Sequence, residues 1–258
     1  MKKKDVVTVQ SVDRALNIIN ILKEHPKGLG VTEISHRLDV SKSTVHRLLS
    51  SLLLQGFVKQ EIENERYQLG LKLIELGEVV SSHLNIRKTA APYLNQLAET
   101  TGETVHLVMM DQLEIVYIDK TESEATIRMF SRIGKRAPMH CTGVGKAILA
   151  FLPEEKIEEV LTERPMMKFT ENTITDQKEM KKHLQEIRNR GVAFDLEEHE
   201  EGIQCAAAPL FNYHGDVVGG ISVAGPIMRV DEEKLKYLSV EVLRVSREIS
   251  SLLGSPNS

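Results

Sequence analysis

Tryptophan is absent from the 258 residues, and six Phe and five Tyr are the only other large aromatics. Recognition of nucleic acid by stacking bases on aromatic platforms is therefore excluded. Two cysteines, Cys141 and Cys205, are too few for a disulfide framework, and such usage points to the cytoplasm. No apolar run is long enough to span a bilayer, and no signal-peptide apolar region is present, so no membrane partner is expected. Internal repeats and low-complexity tracts are also missing. What is present is 41% hydrophobic residues, enough for real cores, at a length that suggests two domains or one large one.

Charge is unevenly spread. The chain carries a formal −4, which alone argues against nucleic acid. Yet basic residues outnumber acidic ones over residues 1–70, and the reverse holds over the remainder. A basic head on an acidic body fits a DNA-binding module joined to a part that does not touch DNA.

Residues 31–67 read as a helix-turn-helix followed by a β-wing. Thr32 is the expected N-cap of a short helix, without a Glu three residues on to complete a capping box. Asp39 and Val40 make a tight turn. Ser41 caps a second helix whose apolar stripe is Val45, Leu48, Leu49 and Leu52. The opposite face presents Ser41, Lys42, Ser43, Thr44, His46 and Arg47, hydroxyls and basic groups in the first two turns, where a recognition helix reaches base edges. The alternative is an ordinary αα-hairpin with a solvated polar face. Against it stand a preceding helix over 12–22, with Val12, Ala15, Leu16, Ile19 and Leu22 as its core side, and a polar hairpin tip over 59–66. Lys59 and Arg66 of the wing, with Lys2, Lys3 and Lys4, are expected on phosphates.

Residues 69–84 read as a linker helix with a stripe of Leu69, Leu73, Leu76 and Val80, a candidate interface, and the domain boundary falls near Asn85. Beyond it we expect a helix over 86–101, a hairpin of strands on either side of 111–113, and a third strand over 127–130. Helices follow over 144–151, 154–161 and 176–189. Strands over 192–194, 203–210 and 217–223 precede a final helix over 231–253. Hairpin-connected strands with helices clustered apart suggest an α+β sandwich, not a doubly wound sheet.

At this point the motifs SVDRALNIINIL, VTEIS, SKSTVHRLL, YQLGLKLIELG, MHCTGVGKAILAFL, RGVAFDLEEHEEGIQCAAAPLF and GGISVAGP, in this order, resemble the IclR family of bacterial transcription regulators over residues 9–254. The resemblance implies a winged helix-turn-helix domain (1–70), a linker helix (71–84) and a GAF/PAS-like effector-binding and oligomerisation domain (85–254). It implies homodimers or homotetramers on palindromic operators in double-stranded DNA, and small organic, sugar or aromatic acids as effectors. It places the effector among Met129, Gly143, Val144, Asp195, Ile203, Cys205, Ser222 and Ala224. Gly143 and Val144 offer backbone N–H groups suited to a carboxylate. Ala224 stands where some relatives have a second Ser, which leaves one donor fewer.

Each of these residues has a plainer reading. The glycine loop could pass for a phosphate loop, but it lacks the GxxxxGK[ST] spacing. Lys146 reads as a solvated helix residue, Cys205 as a small buried one, and His106 as a core or interface histidine. The acidic run at Glu197, Glu198, Glu200 and Glu201 reads either as a solvated loop or, as the resemblance implies, as one that in part caps a helix or shapes the pocket entrance; Arg188, Arg190 or loop amides would have to offset its charge near an anionic ligand. His140, Cys141, His199 and Cys205 match no common zinc spacing, so neither metal nor cofactor is expected. The expected function is a cytoplasmic regulator, a repressor of a catabolic operon that answers to a small acid, and not an enzyme. The alternatives are an acid-processing enzyme with a fused DNA-binding domain, and an architectural DNA-binding protein without a ligand.

Overall fold

The computed structural model describes residues 8–83, 85–122 and 131–256. Lys2, Lys3, Lys4, Met129 and the strand expected over 127–130 lie outside them. The chain divides into two compact units, Met1–His83 and Leu84–Ser258.

The first unit runs α1 (Gln10–Lys23), α2 (Val31–Leu38), α3 (Lys42–Leu54), β1 (Val58–Gln60), β2 (Tyr67–Leu69) and α4 (Lys72–His83). Helix α1 buries Ile18 and Leu22, one turn apart. Val12 and Leu16, expected in the core, are each about half exposed, with Ala15 and Ile19 packed at the edge. The buried stripe is thus rotated from the 12/16 row toward Ile18. Helix α2 also starts earlier than expected. Its N-cap is Gly30, not Thr32, and the Glu33 carboxylate accepts the Gly30 N–H at 2.8 Å. A glutamate at N3 closes the first turn although glycine brings no side chain of its own. Asp39 ends the helix in the left-handed region, at φ 50°. Ser41 caps α3 by accepting from the Thr44 N–H at 3.3 Å, and Val45, Leu49 and Leu52 are buried.

Strands β1 and β2 pair antiparallel, and Tyr67 also exchanges both backbone hydrogen bonds with Leu29 ahead of α2. The wing is thereby tied to the helical core. Gly70 closes it: its N–H donates to the Phe57 carbonyl at 2.8 Å, and a Cβ here would fall on the Gly56 carbonyl. Leu69 belongs to β2 and not to the helix after it. Helix α4 leaves Ile74 and Leu76 exposed within the unit, with Leu73 half-buried; the Val80 side chain lies outside what is described.

The second unit comprises α5 (Asn85–Thr101), β3 (Thr104–Asp111), β4 (Glu114–Thr121), β5 (Arg136–Ala137), α6 (Gly143–Leu149), α7 (Glu154–Glu163), α8 (Gln177–Arg190), β6 (Ala193–Leu196), β7 (Ile203–Phe211), β8 (Val217–Pro226) and α9 (Glu232–Leu252). Its strands form one antiparallel sheet in the order β5-β4-β3-β8-β7-β6. The short β5 was not anticipated. The helices are not gathered on one side. Helices α5 and α9 cover one face through Leu94, Leu97, Leu238 and Val242, and α6, α7 and α8 cover the other through Val144, Ile148, Val160 and Leu184. The reason lies in the central strands. The middles of β7 and β8 are buried at every position, including Ala206, Ala207 and Ala208, so both faces need a cover.

Adding a methyl at Gly70 requires the wing to move off the Gly56 carbonyl. We expect Gly70→Ala to destabilise the first unit by about 1–3 kcal/mol, measured by urea unfolding of the full chain. Unchanged stability would show that the wing closes without this contact.

Candidate functional site

The first unit presents an exposed face on α3. Lys42, Ser43, His46 and Arg47 are exposed and Thr44 is half-buried. The Ser41 hydroxyl lies 3.0 Å from that of Ser43 and 2.9 Å from that of Thr44. This hydroxyl cluster holds the first turn while leaving the outer donors facing solvent. Neither Lys42 nor Arg47 has an ion-pair partner among the described residues, so both cations are uncommitted. The wing differs. Lys59 is exposed and pairs with Glu61 at 2.9 Å, a link weak enough to exchange. Arg66 is turned inward: its Nε donates to the Gly28 carbonyl and its Nη2 to Glu33, each at 3.0 Å. It fastens the wing to the start of α2, so that part of its donor fork is engaged within the chain.

In the second unit, alternation along neighbouring strands sends a set of side chains to one face of the sheet. The register pairs Asp195 with Cys205, Cys205 with Ala224, and His106 with Ser222. The start of α6 lies over them. Thr142 caps that helix by accepting from the Gly145 N–H, and a Cβ on Gly143 would approach the Cys205 sulfur to 2.5 Å. Only glycine lets the helix start come this close to the strand. A cavity of about 50 Å³ results, lined by Gly143, Val144, Asp195, Ile203, Cys205, Ser222 and Ala224. Every predicted effector residue within the described structure is thus on one wall system; Met129 lies outside it.

Sequence reasoning missed other residues of this lining, among them His106, Tyr117, Ser131 and Lys135, whereas Glu200 and His199 belong to the acidic run weighed as a pocket entrance. His106 Nε2 is 2.7 Å from the Ser131 hydroxyl and Nδ1 is 3.5 Å from that of Ser222. Burial, helped by Lys120, pushes its pKa down to about 3, so the ring is neutral and offers one donor and one acceptor. The basic side chain at this lining is Lys135. Of Arg188, Arg190 and the loop amides expected to offset the acidic run, Arg190 favours the ionised form of Glu198 from a distance, while the hydrogen bonds of Arg188 and Arg190 go to backbone carbonyls at Ala150, Leu152 and Val192, and both line a separate cavity.

The acidic run is not a uniformly solvated loop. Glu198 is buried and forms an ion pair with Lys146, which is fully buried on α6 and not solvated as expected. The other Glu198 oxygen has no partner among the described residues, and burial raises the Glu198 pKa while Lys146 opposes the rise. Asp195 closes the same loop. One of its oxygens accepts from the N–H groups of Glu198 at 2.7 Å and His199 at 3.4 Å. Burial lifts its pKa to about 7, opposed by these amides and by Lys146. Burial likewise raises the thiols of Cys141 and Cys205, which remain protonated and un-nucleophilic. His199 Nδ1 sits 3.5 Å from the Cys141 sulfur.

Two outcomes test this geometry. Lys146→Met strands the Glu198 carboxylate in the core and should cost about 3–5 kcal/mol, whereas adding Glu198→Leu should recover most of the loss. Equal losses in the single and double variants would show that the pair is not coupled. The folded pKa of Asp195 lies above the unfolded value of about 4, so its contribution to stability is complete below that pH and is lost as pH rises to about 7. Asp195→Asn keeps the amide acceptor and should stabilise the chain, relative to the natural one, more at alkaline than at acidic pH. A pH-independent difference in melting temperature would contradict the shift.

Comparison with known proteins adds the family. Residues 11–61 match the model of the IclR helix-turn-helix domain, and residues 78–251 match that of the bacterial transcriptional regulator IclR C-terminal domain. The chain is 36% identical over 248 residues to the HTH-type transcriptional regulator XynR of Escherichia coli (strain K12), covering 96% of this chain and 98% of that protein. It is 31% identical over 248 residues to the acetate operon repressor of Salmonella typhimurium, covering 95% and 90%. The crystal structure of the Thermotoga maritima IclR superposes with a TM-score of 0.80 at 38% identity, covering 95% of this chain and 99% of that one. These relatives are regulators of transcription, which sets aside the reading of an enzyme with a fused DNA-binding domain. The chain belongs to the IclR family of bacterial transcriptional regulators.

Proposed function

We propose that this regulator is a cytoplasmic repressor of a catabolic operon, released or recruited by a compact organic acid held in the cavity beneath α6. The observation that carries the reading is convergence. Ser131, Ser222 and neutral His106 supply hydrogen bonds, Lys135 supplies the cation, and Ile203, Val144 and Ala224 supply apolar wall on one small cavity. A few polar groups in an apolar surround are what orient a small ligand. A volume of about 50 Å³ holds on the order of three to five non-hydrogen atoms, so a six-carbon sugar acid would require the cavity to open. Asp195, with its pKa near 7, meets a ligand hydroxyl more readily than a carboxylate. The name of the Salmonella relative, an acetate operon repressor, supports the reading as a repressor. Buried free cysteines suit a reducing compartment.

On the DNA side, Ser41, Lys42, Ser43, Thr44, His46 and Arg47 are the proposed readers of a palindromic operator, and Lys59 a phosphate contact. One short recognition helix reads few base pairs, so a second half-site and a homodimer or homotetramer are needed. The exposed apolar residues Ile74 and Leu76 of α4 offer a face for such assembly.

Lys42→Ala and Arg47→Ala should each weaken operator binding by about 1–3 kcal/mol where the side chain meets a base, read by electrophoretic mobility shift at physiological salt. Unchanged affinity in both removes α3 as the reading helix. Calorimetry with a panel of oxo and hydroxy acids of about two to four carbons should find one that binds, and Ser222→Ala should weaken it by about 1 kcal/mol without altering operator affinity in its absence. An acid that binds equally well to Ser222→Ala and Asp195→Ala variants would place the effector elsewhere.

A further inference from the structure

The larger cavity of the second unit is a different one. It holds about 400 Å³ and lies among the end of α8, strand β7 and the last turns of α9, within the range of small-molecule sites. Three arginines line it, Arg188, Arg190 and Arg247, and among the described residues no acidic one does. Two of them are partly engaged. Arg188 donates to the carbonyls of Ala150 and Leu152, and Arg190 donates to that of Val192 while lying 4.9 Å from the Phe194 ring centroid. Those bonds hold the end of α8 in place, a plain structural use for basic residues in a last helical turn.

Arg247 has no such use. It precedes the last turn of α9 and is exposed, and its guanidinium makes no hydrogen bond or ion pair with any described residue. The same cavity carries apolar wall: Phe151 and Phe211 meet edge to face with centroids 5.2 Å apart, and Leu243 also lines it. Glu186 and Glu198 act on Arg190 from a distance, but neither reaches the lining.

We propose that this cavity is a second ligand site, distinct from the one beneath α6, and that it takes a small organic anion with a flat apolar body. The Arg247 fork binds the charged head, with the remaining donors of Arg188 and Arg190 adding to the field. The Phe151–Phe211 pair and Leu243 pack the body. A guanidinium suits this better than an ammonium, because its planar donors match carboxylate or phosphate oxygens in pairs. The site shares no lining residue with the smaller cavity, so one can exist without the other.

The test uses the full chain and phenyl phosphate as the probe, titrated by calorimetry, with inorganic phosphate in a parallel arm. Saturable binding of one phenyl phosphate per chain is expected, weakened about tenfold, or about 1.4 kcal/mol, by Arg247→Ala. Arg247→Lys should restore only part of it, and Ser222→Ala should leave it unchanged. Three results overturn the proposal: no saturable binding of phenyl phosphate, binding indifferent to Arg247→Ala, or binding abolished by Ser222→Ala, which would put the probe in the smaller cavity. Inorganic phosphate binding as tightly as phenyl phosphate would overturn the role given to the apolar wall.

Discussion

The second unit depends on an ion pair almost wholly removed from water. Lys146 enters the core from α6 and meets Glu198 from the loop after β6. Taking two charges out of water costs several kcal/mol for each, and only close mutual attraction and added hydrogen bonds offset it. The surrounding residues supply those bonds to the loop. The Thr170 and Thr173 hydroxyls donate to the carbonyls of Glu197 and Glu198, each at 2.6 Å, and the Asn172 amide donates to that of Leu196 at 3.0 Å. Asp195 takes the loop's N–H groups from the other side. The loop is therefore anchored to α6, to residues 170–173 and to β6 at once. The same α6 forms the roof of the small cavity, and the same Asp195 forms part of its wall. Cavity shape and charge burial are consequently one problem, solved by one set of contacts.

That coupling accounts for the electrostatics of the cavity. Asp195, Glu198 and Lys146 share a poorly solvated space, and each alters the others. Lys146 favours the ionised form of both acids, while Glu198 disfavours ionisation of Asp195. A pKa near 7 for Asp195 is the balance of burial against two amides and a cation. An anionic ligand arriving here adds a charge to that balance, and protonation of Asp195 is the least costly response.

Much of this was legible in the amino-acid sequence, and the failures have physical causes. The family resemblance supplied Asp195, Cys205 and Ser222, and the strand register sets them on a common face, because a pleated strand turns every second side chain the same way. His106 stands opposite Ser222, but strand pairing between residues so far apart leaves no local trace, so its place at the cavity was invisible. Lys146 was read as solvated because lysine is rarely buried without a partner; the partner lies 52 residues away. Thr32 was read as the cap of α2 on residue preference. Gly30 holds the position instead, since the helix begins where Glu33 can reach back to its N–H. The contacts of Arg66 with Gly28 and Glu33 were equally hidden, since only the fold brings them within its reach. The errors gather at contacts distant in sequence, where local pattern carries no information.

The same anchoring bears on how such a regulator is switched. A ligand shifts an equilibrium only by its difference in affinity for two states. To carry a population from about one part in a hundred to the reverse, that difference must reach about 5.5 kcal/mol. A ligand of a few non-hydrogen atoms has little contact energy to divide between states at a ceiling of about 1.5 kcal/mol per atom. A compliant loop would absorb that energy locally. One fixed at both ends by buried charge and hydrogen bonds does not, because a shift at Asp195 or Gly143 must either be refused or passed to β6 and α6. In the reading proposed above, the expensive buried pair is what allows a small acid to be felt beyond its own cavity.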